Sequence, residues 1–231
     1  MIFDPMYLLY IAPGLILSLW ASWRTKSTFA KYSKVRAASG RTGAQAAQVL
    51  LERAGIHDVK IVPHQGKLSD HYNPLTKTLA LSEEVYGSPS IAAIGVACHE
   101  AGHAIQHQQR YAPLWLRSTL VPTANIGSSI GYFVMIAGLM MGMMKLFMVG
   151  VALFSMVLLF QLVTLPVEFD ASARAKRLAV EYGVVLEQER EGMDRVLNAA
   201  ALTYVAAAVT TLLTLLYYLM RAGLLGGRSR D

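Results

Sequence analysis

The chain has 231 residues, 54% hydrophobic and only 16% charged, with a mean hydropathy of +0.39; this apolar share excludes an ordinary soluble globular domain. The net charge of +6 comes from bases that flank apolar stretches, not from a basic patch interleaved with aromatics, which excludes a nucleic-acid-binding protein. One cysteine, Cys98, excludes an intramolecular disulfide and a Cys-cluster zinc site.

Residues 6–23, "MYLLYIAPGLILSLWASW", form the first spanning candidate, at the short end of the roughly 20 residues that cross a bilayer. Pro13-Gly14 should kink it. No basic residue precedes it and no small-residue cleavage site follows, so it reads as an anchor that stays. Residues 24–118 are the longest polar region. Within it, residues 42–54 ("TGAQAAQVLLERA") read as an amphipathic helix ended by Gly55. "DVKIVPH" reads as a short strand. Asn73-Pro74 carries turn chemistry, and an alternating run to Leu81 suits a second strand. Residues 79–82 read as an edge strand that a peptide substrate could extend. Ser88-Pro89-Ser90 signals a helix start with Ser88 as N-cap, and the helix should run over about 89–109.

Residues 121–142 and 146–165 are the second and third spans, joined by a tight turn around Lys145. The methionines of "MIAGLMMGMMKLFM" read as lipid-facing, and Gln161 and Thr164 as bonding across helices. Residues 166–198 are polar and helical in pattern. Residues 199–220, rich in Ala and Thr, are the fourth span. The expected fold is therefore mainly α: an integral membrane protein of four transmembrane helices with a juxtamembrane, gluzincin-like zinc-protease domain containing a small β element, the whole forming one catalytic unit. Residues 24–120 and 166–198 would share one side of the membrane. They hold seventeen of the twenty-one Lys and Arg residues, against Lys145 in the turn and Arg221, Arg228 and Arg230 in the tail. The positive-inside rule then gives a multi-pass plasma-membrane protein with both polar regions in the cytoplasm and both termini outside.

The chemistry concentrates in "VACHEAGHAIQHQQ", residues 96–109. His99-Glu100-Ala101-Gly102-His103 matches H-E-x-x-H. On a helix the two histidines lie on one face and can hold one Zn²⁺ at roughly 2.0–2.1 Å. Glu100, one position along, reaches a water on the metal's open position and acts as general base. Gly102 costs the helix about 1 kcal/mol relative to Ala, which suggests that another backbone passes close. A catalytic zinc needs a third protein ligand. The metzincin spacing would put a histidine at Gln109, so the ligand comes from elsewhere. Glu168 and Asp170, in "TLPVEFDASARA", are the first carboxylates after the third span. Glu168 is the preferred ligand. Asp170 is the runner-up, better suited to a supporting hydrogen bond or to a pair with Arg174.

"GKLSDHYNP", "VACHEAGHAIQH" and "TLPVEFDASARA" resemble the YugP-type membrane zinc metallopeptidases of bacteria, over nearly the whole chain and most strongly over residues 66–178. The resemblance implies that His99 and His103 bind zinc, that Glu100 is the catalytic base, and that Glu168 completes the site. More distantly the chain is similar to the HtpX and CAAX-prenyl protease class, where an aspartate follows the ligand glutamate by four residues. Here that position is Ser172, so this second likeness is one of architecture.

His107 is rotated about 80° from His99 along a helix and is a poor ligand. Cys98 reads as a small core residue. His71 and Tyr72 are candidates to stabilise an oxyanion, with a plain turn capped by Asp70 and Asn73 as the alternative. The expected activity is hydrolysis of peptide bonds in membrane or membrane-proximal proteins. The expected partners are a peptide or protein substrate and membrane lipid, with a homo-oligomer or a membrane partner protein compatible with the sequence. A site-2-type intramembrane protease would carry the pentapeptide in a full span, but the run 91–98 is too short and is followed by Gln106, Gln108, Gln109 and Arg110. A non-catalytic scaffold would not need Glu100.

Overall fold

The computed structural model describes residues 5–225. Arg228 and Arg230, which enter the charge comparison, lie outside the described residues. The elements in chain order are α1 (Pro5–Tyr32), α2 (Gly43–Arg53), β1 (Lys60–His64), β2 (His71–Asn73), β3 (Thr78–Ser82), a short α3 (Glu83–Tyr86), α4 (Ile91–Gln108), α5 (Ala112–Ile126), α6 (Tyr132–Met140), α7 (Met144–Glu181) and α8 (Arg190–Arg221). Among the described residues, four helical stretches are long and apolar enough to cross a membrane: Pro5–Tyr32, Ala112–Met140, Met144–Glu181 and Glu187–Arg221. The protein is thus a mainly α membrane protein with a small three-stranded sheet.

The chain divides into two compact units. Among the described residues, one takes in 5–21, Leu116–Leu165 and 203–225. Its helices approach through glycines. A Cβ at Gly138 would lie 2.2 Å from the backbone nitrogen of Phe147, and one at Gly150 would lie 2.2 Å from that of Met135. Close backbone contact of this kind replaces the hydrophobic drive that lipid cannot supply. Met135 is consequently buried completely, whereas Met140, Met141, Met143, Met144 and Met148 are exposed; the lipid-facing expectation fails for Met135. α5 and α6 are joined by a π-helical turn at Gly127–Gly131. The tight turn lies over 141–143, with Gly142 at a φ of +67°, and Lys145 is already in the first turn of α7. Thr164 bonds its own helix at Phe160 O, 2.7 Å, and Gln161 Oε1 is buried without a hydrogen-bond partner among the described residues. Neither therefore bonds across helices as the sequence suggested.

The other unit takes in Ser22–Trp115 and Pro166–Leu202. α2 opens with a capping box: Thr42 Oγ1 accepts from Gln45 N, and Gln45 Oε1 accepts from Thr42 N. Two orphan donors at the helix start are thereby satisfied. Gly55, at a φ of +72°, ends it. The apolar face of α2, including Leu50 and Leu51, packs with Ile91, Ile94, Ala101 and Ile105 of α4 and with Leu79 and Leu81 of β3 in one buried cluster.

The sheet has the order β1-β3-β2. β1 runs parallel to β3 from Lys60↔Thr78 to His64↔Ser82, and β2 runs antiparallel to it from His71↔Ala80 to Asn73↔Thr78. Beyond the end of β2, Asp70 Oδ1 accepts from Ser82 N at 2.7 Å. β3 is therefore the central strand. The expectation of an edge strand fails at residues 79–80, where both flanks are paired; at Leu81 and Ser82 only the β1 flank is paired by a strand. β2 itself reads from sequence as turn, since three residues are too few to show alternation. The expected turn follows it, with Asn73 Oδ1 accepting from Leu75 N and Thr76 N.

α4 is capped by Ser90, whose hydroxyl accepts from Ala93 N at 3.2 Å. Ser88 is not the N-cap; its hydroxyl bonds that of Ser90 instead. Replacing Ser90 by Ala should lower unfolding stability by about 1 kcal/mol through loss of this cap. The thermal midpoint of the detergent-solubilised protein checks this, and Ser88→Ala should shift it less.

Candidate metal centre

α4 and α7 bring the site together. Each turn of helix is 3.6 residues, so His99 and His103 project from one face of α4, and their rings meet edge to face at 4.7 Å between centroids. Gly102 lies between them in the sequence, and the close approach expected there exists: a Cβ on Gly102 would lie 2.6 Å from Ala171 O of α7. The absence of that one carbon lets α7 settle directly onto α4. Glu168, one turn before Ala171 on α7, then reaches both histidines.

Glu168 Oε2 lies 3.2 Å from His99 Nε2 and 3.7 Å from His103 Nε2. Ligand atoms of the three residues all lie within 4.8 Å of one another. Tetrahedral ligands at 2.0–2.1 Å from zinc are about 3.4 Å apart, a value the two distances from Glu168 Oε2 bracket. His99 and His103 turn their other ring nitrogens away. His99 Nδ1 bonds Ser172 Oγ at 3.0 Å, and His103 Nδ1 bonds Gln106 Oε1 at 2.9 Å. Engaging Nδ1 leaves Nε2 for a metal, the usual arrangement around a ligating histidine. Two imidazoles and one carboxylate are a donor set that catalytic zinc takes.

The electrostatics follow from burial. Glu168 is 2% exposed. Burial alone would raise its pKa, but the adjacent His103 and His99 outweigh that and hold it well below the usual carboxylate range. Burial likewise pushes His103 down, and the Glu168 carboxylate, joined by the charge of Glu100, more than offsets it, so His103 stands above its ordinary value. A buried carboxylate of this kind requires a cationic partner. Protonated His103 can serve as one, and a divalent cation serves equally.

The remaining residues singled out in the sequence fall in different places. Glu100 is buried at 8% exposure beside the ligand pair. Asp170 is not in the ligand group; it accepts from Gln106 Nε2 at 2.8 Å and pairs with Arg174 on the next turn. Ser172 touches His99 as described. His107 bonds Tyr72 Oη through Nδ1 at 2.9 Å, which ties α4 to β2. His71 is exposed, bonds Ser69 O, and packs edge-on against His64; nothing among its contacts brings it to the three ligand atoms. Gln106 was missed as a site residue. Its signal was available, because a polar residue three positions beyond His103 shares that histidine's face of the helix.

Comparison with known proteins places the chain in a family. Residues 7–223 match the family described as "Putative neutral zinc metallopeptidase", and the chain belongs to that family. It is also similar to a protein of Bacillus subtilis (strain 168) described as "Putative membrane protease YugP", with 46% identity over 93% of this chain and 96% of that one. No solved structure matches it.

The Gly102 contact makes a prediction opposite to helix propensity. Gly102→Ala should favour the isolated helix by about 1 kcal/mol. In the protein it must instead push Ala171, and with it Glu168, away from the histidines, at an overpacking cost of about 1–3 kcal/mol. Thermal unfolding and zinc content after purification should both fall.

Proposed function

We propose that the protein is a membrane-embedded zinc endopeptidase of the gluzincin type, with His99, His103 and Glu168 as metal ligands and Glu100 as general base. The observation that carries this reading is the convergence of Glu168 Oε2 on both imidazole Nε2 atoms, in a chain that belongs to a zinc-metallopeptidase family.

Bound at these three residues, zinc would supply Lewis acidity for activating water and polarising a scissile carbonyl. The protein's own groups do the rest. His99 and His103 present their Nε2 atoms, held in orientation by Ser172 and Gln106. Glu168 contributes negative charge. Glu100 takes a proton from the attacking water and delivers it to the leaving amine. Its burial keeps competing water away from that carboxylate and strengthens its interactions. Asp170, through Gln106, and Ser172 hold the ligands. Tyr72 is a candidate to steady developing negative charge on the substrate through its hydroxyl. For His71 the observed contacts offer no support for such a role.

The substrates are peptide bonds of membrane or membrane-proximal proteins. Glu168 follows the apolar run 146–165 by three residues within the unbroken α7, so the ligand leaves an apolar segment directly. By the positive-inside rule the site works on the cytoplasmic face, with both termini outside.

Glu100→Gln should retain zinc at wild-type stoichiometry and lose about 10²–10⁴-fold in cleavage of a fluorescent casein, the range a general base contributes. Persistent cleavage by the zinc-loaded variant would overturn the enzyme reading. Glu168→Ala should instead lose the metal itself, read by elemental analysis after dialysis.

Orientation can be checked independently. Lys67 has a side chain 82% exposed, and the native Cys98 is fully buried. A Lys67→Cys protein should therefore be labelled by a membrane-impermeant maleimide only after the cells are opened, with little background from Cys98. Labelling in intact cells would place the site outside.

A further inference from the structure

We propose that Gln106 is the positioning residue of this site: one buried amide that sets which nitrogen of His103 faces the metal and, at the same time, fastens α7 so that Glu168 meets it. The proposal rests on the zinc reading above.

The side chain of Gln106 is wholly buried, at 0% exposure. A buried amide is costly unless its atoms are bonded, and here both ends are engaged. Nε2 donates to Val167 O at 2.8 Å and to Asp170 Oδ2 at 2.8 Å. Oε1 faces His103 Nδ1 at 2.9 Å.

These three bonds fix the chemistry by elimination. Val167 O is a backbone carbonyl and can only accept, so the NH₂ end of the amide must point to α7. The end facing His103 is then the oxygen, which can only accept. His103 Nδ1 must therefore carry a hydrogen. In the neutral ring this leaves the lone pair on Nε2, the atom that lies 3.7 Å from Glu168 Oε2. The amide cannot be turned over without setting its oxygen against both the Val167 carbonyl and the Asp170 carboxylate.

The same residue acts on the opposite ligand. Val167 directly precedes Glu168, and Asp170 follows it by two. Both bonds from Nε2 thus land on the turn of α7 that carries the carboxylate. Asp170 is held in turn by Arg174, and Arg174 also bonds Gln109 of the chain following α4. Gly102 sets how closely the two helices approach. Gln106 sets their register and the protonation of one ligand, which a steric contact cannot do.

Gln106→Met keeps the length and volume of the side chain while removing both ends of the amide. Zinc affinity, measured by chelator competition in detergent, should fall about 10–100-fold, the range for loss of a residue that orients a ligand. In ¹⁵N-histidine-labelled, zinc-loaded wild-type protein, His103 should show its proton on Nδ1 and the metal on Nε2, and that Nδ1–H signal should move in the variant. An affinity within twofold of wild type would overturn the proposal. So would metal on Nδ1 of His103 in the wild type, a measurement that stands even where the methionine variant does not fold. Wild-type protein that binds no zinc at all would sink the proposed function instead, which keeps the two failures apart.

Discussion

The structure of this site depends on one buried negative charge. Glu168 is almost fully enclosed, and a carboxylate in that position is tolerable only with opposite charge and hydrogen-bond donors around it. Two imidazoles face it. The arrangement is thus incomplete as pure packing: it needs either a proton on a histidine or a cation among the three groups. A metal site and a buried ion pair have the same geometry here. They differ in which positive charge occupies it, and the engaged Nδ1 atoms of both rings turn each Nε2 towards Glu168, as either occupant requires.

Two contacts between α4 and α7 place that charge. The first is steric, where Gly102 admits the Ala171 backbone. The second is polar, where Gln106 spans from His103 to Val167 O and Asp170. The steric contact sets distance and the polar one sets register. Neither would serve alone, because a helix pair held only by small residues can slide, and one held only by an amide can stand too far apart. Ala171 and Ala175, one turn apart on α7, are completely buried and keep that side of the seam thin.

Much of this was legible in the sequence because its signals are local. H-E-x-x-H on a helix needs five residues to be recognised, and the apolar runs need only composition. Gly102 also announced itself, since a glycine inside a helix is unfavourable without a reason. Glu168 lies sixty-five positions from His103 and was reached through the chain's return after the third span, not from any spacing rule. The errors share a cause. Residues 79–82 look like an edge strand until β2 is recognised, and β2 is only three residues long. Ser88 and Ser90 flank the same proline, and only the backbone conformation decides which one caps α4. Gln106 reads as one glutamine among several in "IQHQQ"; its place three positions beyond His103 sets it apart from Gln108 and Gln109, but its burial against α7 shows only in the fold.

The helix that carries the motif shows why composition alone can mislead about membranes. α4 is eighteen residues long, and fourteen of them are buried. A helix apolar on nearly all sides is either a span or the centre of a folded unit. Its neighbours decide between these. α2 buries Leu50 and Leu51 against it and exposes Glu52 and Arg53 on the outside, while β1 exposes Lys60 and His64. Those outer faces carry charge that a bilayer would reject, so α4 is enclosed by protein. A metal ion held on such a helix would be enclosed by protein as well. That accounts for polar side chains such as Gln106 and Ser172 being available to steady its ligands, where a lipid-exposed span would offer none.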